Sequence, residues 1–122
     1  MGTPEKLMID NVKYVREDSI SEKAPTSNGM KYCIVRTYSA GVFAGFIESR
    51  TGQEVVLRNV RRIWYWDGAA SLSQLANEGV KKPENCKFAQ VVDRIEVLQA
   101  VEILDCTNKA KNIIEKVAIW QN

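Results

Sequence analysis

Hydrophobic and polar residues alternate along much of the chain, the period-2 pattern of strands with one buried face. Asp10 and Asn11 separate two short runs of this kind and tolerate the positive φ of a two-residue turn, which predicts a leading β-hairpin. The polar stretch 17–29 predicts an exposed loop, and Ala40-Gly41 predicts the turn of a second hairpin. The predicted strands are residues 6–9, 12–16, 30–37, 42–49, 54–57, 60–66, 87–92 and 95–104.

Two segments follow a helical pattern instead. Residues 69–78 are rich in alanine and leucine and precede Gly79, a typical C-terminal cap. Thr107 can cap a second helix at 108–116, whose apolar residues form one stripe. Because strands dominate the N-terminal part of the sequence and the helices lie toward its C-terminus, the predicted fold class is α+β. We expect an antiparallel β-sheet of meander and hairpins, with two short helices on one face, the second toward the C-terminus.

Length and composition narrow the class of protein. With 122 residues, 45% of them hydrophobic and 26% charged, the chain is expected to form a single ligand-binding domain over residues 1–122. The formal net charge of +2 is too small to predict wholesale binding of a nucleic-acid polymer. No apolar run approaches the roughly 20 residues of a membrane span, and the N-terminus lacks the features of a signal peptide. We therefore expect a cytosolic protein with no membrane partner.

The sequence also lacks the residues and motifs of common catalytic sites. It contains no histidine, and its three cysteines, Cys33, Cys86 and Cys106, are an odd number without a CxxC pair. No phosphate-binding glycine loop, nucleophile elbow or zinc-protease motif occurs, and no spacing selects a pair of carboxylates. We therefore predict no metal, no cofactor and no catalytic residue, and expect an anionic ligand to be held rather than transformed.

Residues 58–66 form the densest candidate site. In a regular strand Arg58, Arg62, Trp64 and Trp66 share one face, so cations and flat apolar rings are predicted to lie together. Guanidinium groups bind phosphates, and indole rings stack on bases, which favours nucleotide recognition. The alternative is that the tryptophans belong to the core and the arginines are solvated, and the residues alone weigh the two about evenly.

Two further groups are weaker candidates. The small residues of 40–46 let a ligand approach closely, although turn chemistry and tight sheet packing explain them better. Lys87 precedes Phe88, and Lys109 lies in the first turn of the last predicted helix, where a cation slightly favours a nearby anion. Such lysines are usually only solvated charge.

The stretches 38–45, 57–66 and 67–76 resemble a family of small phage and prophage proteins, the Thoeris anti-defence sponges of the first type. The resemblance extends from the first hairpin to the last helix, and 58–76 is its most specific part. It implies that the protein sequesters intact the cyclised ADP-ribose signal of bacterial TIR-domain enzymes, in the host cytosol, and so blocks effector activation. It also implies a homo-oligomer built from dimers, such as a hexamer. For some members it implies sequestration of CBASS cyclic trinucleotides at separate sites.

The residue pattern and the resemblance together give one set of expected ligand contacts. Two alternatives to a non-enzymatic sponge stay open: an enzyme that degrades the same signal, and a small nucleic-acid-binding or phage structural module. The expected ligand-binding residues are Arg58, Asn59, Arg61, Arg62, Trp64, Trp66, Phe43, Gly41, Ala44, Lys87, Phe88 and Lys109.

Overall fold

The structure, a computed structural model, describes residues 22–121. The predicted leading hairpin at 6–16 lies outside the described residues. Residues 22–29 form the described part of the predicted loop, and most of them are exposed. The chain turns at Asn28 and Gly29, both with positive φ (51° and 79°), and enters the sheet.

Within residues 22–121, six strands and two helices confirm the α+β class. All strand pairs are antiparallel. A short 3-10 turn, Pro83–Asn85, precedes the fourth strand. The elements are β1 (Lys31–Thr37), β2 (Val42–Thr51), β3 (Glu54–Tyr65), α1 (Leu72–Glu78), β4 (Lys87–Phe88), β5 (Val92–Val97), β6 (Ala100–Asp105) and α2 (Asn108–Lys116).

The first three strands form the predicted meander, and the last two lie at its opposite edges. β5 pairs with β3, whereas β6 pairs with β1. The single strand predicted at 95–104 is therefore wrong, because the chain leaves one edge at Leu98-Gln99 and joins the other. Backbone hydrogen bonds fix this crossing: Tyr38 N–H donates to Gln99 O, and Ala100 N–H donates to Gln53 O. β4 pairs with the end of β3 beyond β5.

Each face of the sheet packs against other parts of the chain and so encloses its own hydrophobic core. The two helices pack on one face, contributing Leu75 and Ala76 from α1 and Ala110 and Ile114 from α2. The helices therefore lie on one face, as predicted. The opposite face is covered by the crossing from β5 to β6. Its core residues are Val35, Phe43, Val55, Leu57, Val60, Val97 and Ala100.

Side-chain caps set the start of both helices. Ser71 accepts a hydrogen bond from Gln74 N–H, so α1 begins at Leu72, later than the predicted residue 69. Gly79, with φ 74°, ends α1 as expected. Thr107 accepts from Ala110 N–H and starts α2 at the predicted residue.

Tight packing accounts for Gly45, one of the small residues of 40–46. A Cβ atom at Gly45 would lie 2.7 Å from Val60 Cβ and 2.9 Å from Val60 Cα. The missing side chain is therefore needed for β2 to approach β3, rather than for contact with a ligand.

Candidate functional site

A β-bulge in β3 determines where its arginines point. Asn59 has a φ of 47°, and the pairing of β2 with β3 shifts register beside it. Arg58 pairs with Phe46 of the helix-side core, whereas Arg62 pairs with Phe43 of the opposite core. Cross-strand partners share a face, so the prediction that Arg58 and Arg62 lie on the same face is wrong.

Trp64 and Trp66 also lie in different surroundings. β3 ends at Tyr65, and Trp66 packs against the helix-side core. Trp64 lies on the face of Arg62, where its ring centroid is 5.1 Å from the Arg62 guanidinium carbon. The structure thus brings Trp64, and not Trp66, together with a cation.

Arg58 is engaged by carboxylates. Its Nη1 donates to Glu48 at 2.8 Å, and its Nη2 contacts the Asp93 carboxylate at 3.2 Å. Its Nε donates to the Asp93 carbonyl oxygen at 3.1 Å. Hydrogen bonds to Glu48 and Asp93 raise the pKa of Arg58 above its usual value. An anionic ligand would have to compete with two carboxylates at this position.

Arg61 is buried and its donors are used within the fold. Nε donates to Ala89 O at 2.9 Å, and Nη1 donates to Ile114 O and Val117 O at 3.0 and 2.9 Å. Only 3% of the residue is exposed, and burial lowers the pKa of Arg61, which still remains protonated. Arg61 therefore ties β3 to the segment after β4 and to the C-terminal end of α2.

Arg62 contrasts with both neighbours. Its guanidinium carbon lies 4.8 Å from the ring centroid of Phe43 and 5.1 Å from that of Trp64, so two rings contact the cation. Its Nε is buried and has no hydrogen-bond partner. Within residues 22–121, no carboxylate forms an ion pair with Arg62. A buried donor of a charged group that is left without a partner is costly, and among the arginines of β3 this applies to Arg62.

A cleft of about 380 Å³ opens beside Arg62, between the β1–β2 turn and the crossing from β5 to β6. Its volume is within the usual range of ligand pockets. Phe43, Val97 and Ile95 belong to the second core or pack against it, and four of the nine lining side chains are polar or charged. The lining residues are Thr37, Ala40, Phe43, Arg62, Ile95, Glu96, Val97, Leu98 and Gln99.

A second concavity, of about 470 Å³, is lined by Trp64, Tyr65, Lys87 and Trp120, which we call the aromatic patch. The segment after α2 builds one wall, because Trp120 N–H donates to Phe88 O at 2.9 Å. Lys87 Nζ lies 5.3 Å from the Trp120 ring centroid. Trp64, Tyr65 and Trp120 are 56%, 51% and 43% exposed, so their rings are open to a stacking partner.

Arg62 connects the two concavities, since it lines the cleft and contacts Trp64 of the aromatic patch. The arrangement can hold an anion at the guanidinium, a flat ring on the patch and a further group in the cleft. Of the expected ligand residues, Phe43, Arg62, Trp64 and Lys87 lie in this region.

The other expected ligand residues lie elsewhere or are enclosed. Ala44 and Phe88 are fully buried in the helix-side core. Gly41, with φ 101°, shapes the β1–β2 turn next to the cleft, and Asn59 is exposed at the bulge. Lys109 is exposed on α2 and lines neither concavity.

Sequence reasoning missed Glu96, Gln99, Tyr65 and Trp120 as members of the site. Glu96 and Gln99 reach the cleft only because the chain crosses between sheet edges. Trp120 reaches the patch through a parallel bridge between Phe88 and Ile119. The sequence carries one signal, because Trp120 ends the apolar segment 117–120 that follows the last predicted helix.

The three cysteines are free and buried. Burial raises the pKa of the Cys33 thiol and of the Cys106 thiol to about 12. Burial also raises the pKa of Cys86. At neutral pH these thiols are protonated, and a protonated thiol is a poor nucleophile and a poor metal ligand.

We predict that the native thiols resist labelling. At pH 8 a disulfide reagent should modify Cys33 and Cys106 slowly in the folded protein, because their thiolates are scarce and shielded. All three cysteines should react at once in guanidinium chloride. The labelling rate, read by absorbance, should rise as the pH approaches the raised pKa. Modification of Cys33 or Cys106 within seconds in native protein would contradict this interpretation.

The described residues contain no group of three histidine, cysteine, aspartate or glutamate side chains placed to hold a metal ion. No helix over residues 22–121 is long and apolar enough to cross a membrane.

The chain belongs to the family described as a domain of unknown function (DUF6948), whose model matches residues 30–114, more than half of the chain. The matched region includes all the strands of the described residues 22–121 and the residues that line the cleft, whereas Trp120 lies beyond it. No curated protein and no solved structure matches the chain.

Proposed function

We propose that this DUF6948 domain is a phage-encoded sponge that binds cyclised ADP-ribose in the bacterial cytosol and sequesters it uncleaved. The observation that carries the proposal is Arg62, whose buried Nε lacks an acceptor at the junction of the cleft and the aromatic patch. The resemblance of 58–76 to Thoeris anti-defence sponges supplies the identity of the signal.

The chemistry of the site suits such a ligand in three ways. A pyrophosphate supplies the acceptor that Arg62 lacks, and a guanidinium binds phosphate oxygens through directed hydrogen bonds. Adenine is a flat ring that can stack on Trp64 or Trp120 of the aromatic patch. Lys87 adds a second cation beside these rings.

Sequestration rather than cleavage is supported by the residue types of the chain and by the side chains that line the cleft. A hydrolase needs a general base or an activated nucleophile near the scissile bond. The chain has no histidine, and two of its thiols have pKa values raised to about 12. Glu96 is the carboxylate among the cleft residues, and it forms an ion pair with Arg94.

The test is recovery of the ligand after binding. The protein is incubated with cyclised ADP-ribose and washed by filtration, then denatured, and the released nucleotide is identified by mass spectrometry. We expect intact ligand in amounts that follow the protein concentration. An altered product exceeding one equivalent per chain would establish the degrading enzyme instead.

A salt series with short oligonucleotides tests the nucleic-acid-binding alternative, because phosphate-driven binding falls steeply with salt. A parallel titration with a cyclic trinucleotide tests a second ligand class. Displacement of bound cyclised ADP-ribose would place both ligands in one site, and simultaneous binding would place them in separate sites.

We also propose that the sponge works as a homo-oligomer built from dimers, such as a hexamer. The aromatic patch and the adjoining Ile119 leave several large apolar side chains exposed on one side of the domain. Self-association would bury part of this surface. At micromolar concentration light scattering should give at least twice the monomer mass of 13.8 kDa. A monomer mass that ligand does not change would contradict the proposal.

A further inference from the structure

We infer that the aromatic patch holds the base of the ligand by stacking alone, with Trp120 as the main stacking residue. The site then admits cyclised purine nucleotides whatever exocyclic group the purine carries. The inference rests on the proposed function and adds to it the class of ligand that the same site accepts. The observation that carries it is a group of three exposed aromatic rings around one concavity.

The rings of the aromatic patch leave its concavity unfilled. Trp64, Tyr65 and Trp120 line a space of about 470 Å³ and remain exposed there. Among residues 22–121, the aromatic rings that pack on each other are those of Tyr32 and Phe46, in the helix-side core. Large apolar side chains grouped at a surface mark a binding site. A flat ring of the ligand can therefore enter the space that the patch lines.

Two cations lie against the indole rings and relate the patch to phosphate binding. The Arg62 guanidinium carbon is 5.1 Å from the Trp64 ring centroid, and Lys87 Nζ is 5.3 Å from that of Trp120. The same guanidinium carries the buried Nε that has no acceptor. A ring on the patch is thus next to the cation proposed to bind phosphate, which favours a nucleotide base over an uncharged apolar ligand.

The side chains of the patch have little capacity to read the edge of a base. Trp64, Trp120 and Lys87 carry hydrogen-bond donors only, so the Tyr65 hydroxyl is the one side-chain acceptor among the four lining residues. None of these four is a carboxylate or an amide, the groups that commonly recognise exocyclic amino groups. Stacking uses the π face, which every purine has. Affinity should therefore depend on the rings of the purine and not on its exocyclic group.

Trp120 is the stacking residue that can be removed without disturbing the sheet. It lies after α2 and is held by its backbone, since its N–H donates to Phe88 O at 2.9 Å. Its side chain belongs to neither hydrophobic core of the described residues. Trp64, in contrast, lies on β3 beside Arg62, so its loss would also disturb the phosphate site.

The experiment compares three ligands by calorimetric titration of the wild-type protein, Trp120→Ala and the control Ile119→Ala. The first is cyclised ADP-ribose. The second is its hypoxanthine analogue with the same cyclic linkage, in which oxygen replaces the exocyclic nitrogen. The third is inorganic pyrophosphate, which has no base. Ile119 neighbours Trp120 and is 50% exposed, but it does not line the patch. Light scattering compares the mass of each variant with that of the wild type.

We expect wild-type protein to bind the two cyclised nucleotides with affinities within about 3-fold of each other, because no hydrogen bond to the exocyclic group is gained or lost. Trp120→Ala should weaken both by about 5- to 100-fold, the usual effect of losing one stacking side chain, and leave the affinity for pyrophosphate unchanged. Ile119→Ala should bind all three ligands as the wild type does.

A preference above about 10-fold between the two cyclised nucleotides would show that a hydrogen bond reads the base and would overturn the inference. Wild-type affinities in Trp120→Ala would overturn it as well. A lower mass of Trp120→Ala with equal losses for all three ligands would assign Trp120 to a subunit contact instead. If pyrophosphate binding still depended on Arg62 in these cases, the proposed phosphate site would stand. If the wild type bound neither nucleotide, both proposals would fail.

Discussion

Replacing Arg61 by alanine is expected to lower the free energy of unfolding by about 3 kcal/mol or more, a large part of the stability of a small domain. The substitution removes the donors that reach the carbonyl oxygens of Ala89, Ile114 and Val117. Ile114 O keeps a hydrogen bond from Val117 N–H at 3.3 Å, and each buried carbonyl that is left without a partner costs about 1–3 kcal/mol. The loss should be measured by urea denaturation followed by circular dichroism.

Arg58→Ala is the matched control, because Arg58 lies on the same strand and makes its contacts at the surface. We expect its urea midpoint to change little. Arg61→Lys should recover only part of the lost stability, since an ammonium group lacks the planar fork of donors. If Arg61→Ala does not fold, the stability of Arg61→Lys is measured in its place. Arg61→Ala with wild-type stability would show that the buried network is not needed.

Replacing Arg62 by alanine is expected to weaken binding of cyclised ADP-ribose by about 10- to 100-fold, the usual effect of losing a charge-assisted contact to phosphate. The fold should persist, because within residues 22–121 no carboxylate pairs with Arg62 and its Nε has no partner. Calorimetric titration gives the affinity, and thermal unfolding checks the fold.

Arg58→Ala again provides the comparison, now for binding. Arg58 carries the same charge four residues away, but it lies on the opposite face of β3 and is engaged by Glu48 and Asp93. Its removal should leave the affinity within about 2-fold, because its cation is already neutralised. Equal losses in Arg58→Ala and Arg62→Ala would indicate a general charge effect rather than a site at Arg62.

Local patterns were sufficient to predict the α+β class, the β1–β2–β3 meander and the caps at Gly79 and Thr107. These features depend on residues close in sequence, through side-chain alternation, turn chemistry and capping. The crossing at Leu98-Gln99 could not be predicted, because β5 and β6 select their partners through long-range pairing with β3 and β1. Because the alternation of hydrophobic and polar residues continues through Leu98-Gln99, no break in the sequence pattern marks the end of β5.

The candidate site was only partly predictable for a similar reason. The composition of 58–66 correctly placed a cation beside an indole ring, at Arg62 and Trp64. The bulge at Asn59, however, shifts the register of everything before it, so strict alternation gave the wrong face for Arg58. Glu96 and Trp120 come from distant segments, and only the folded chain brings them to the site.

The measurement that tests the account most directly is a proton–nitrogen NMR spectrum of the arginine Nε–H groups during a titration with cyclised ADP-ribose. Arg58 Nε and Arg61 Nε already donate to carbonyl oxygens at 3.1 and 2.9 Å, whereas Arg62 Nε has no acceptor. Arg62→Lys assigns the Arg62 signal. We expect this signal to move downfield as the phosphates bind, while those of Arg58 and Arg61 stay in place. A saturating titration in which the Arg62 signal does not move would contradict the proposal that Arg62 holds the ligand.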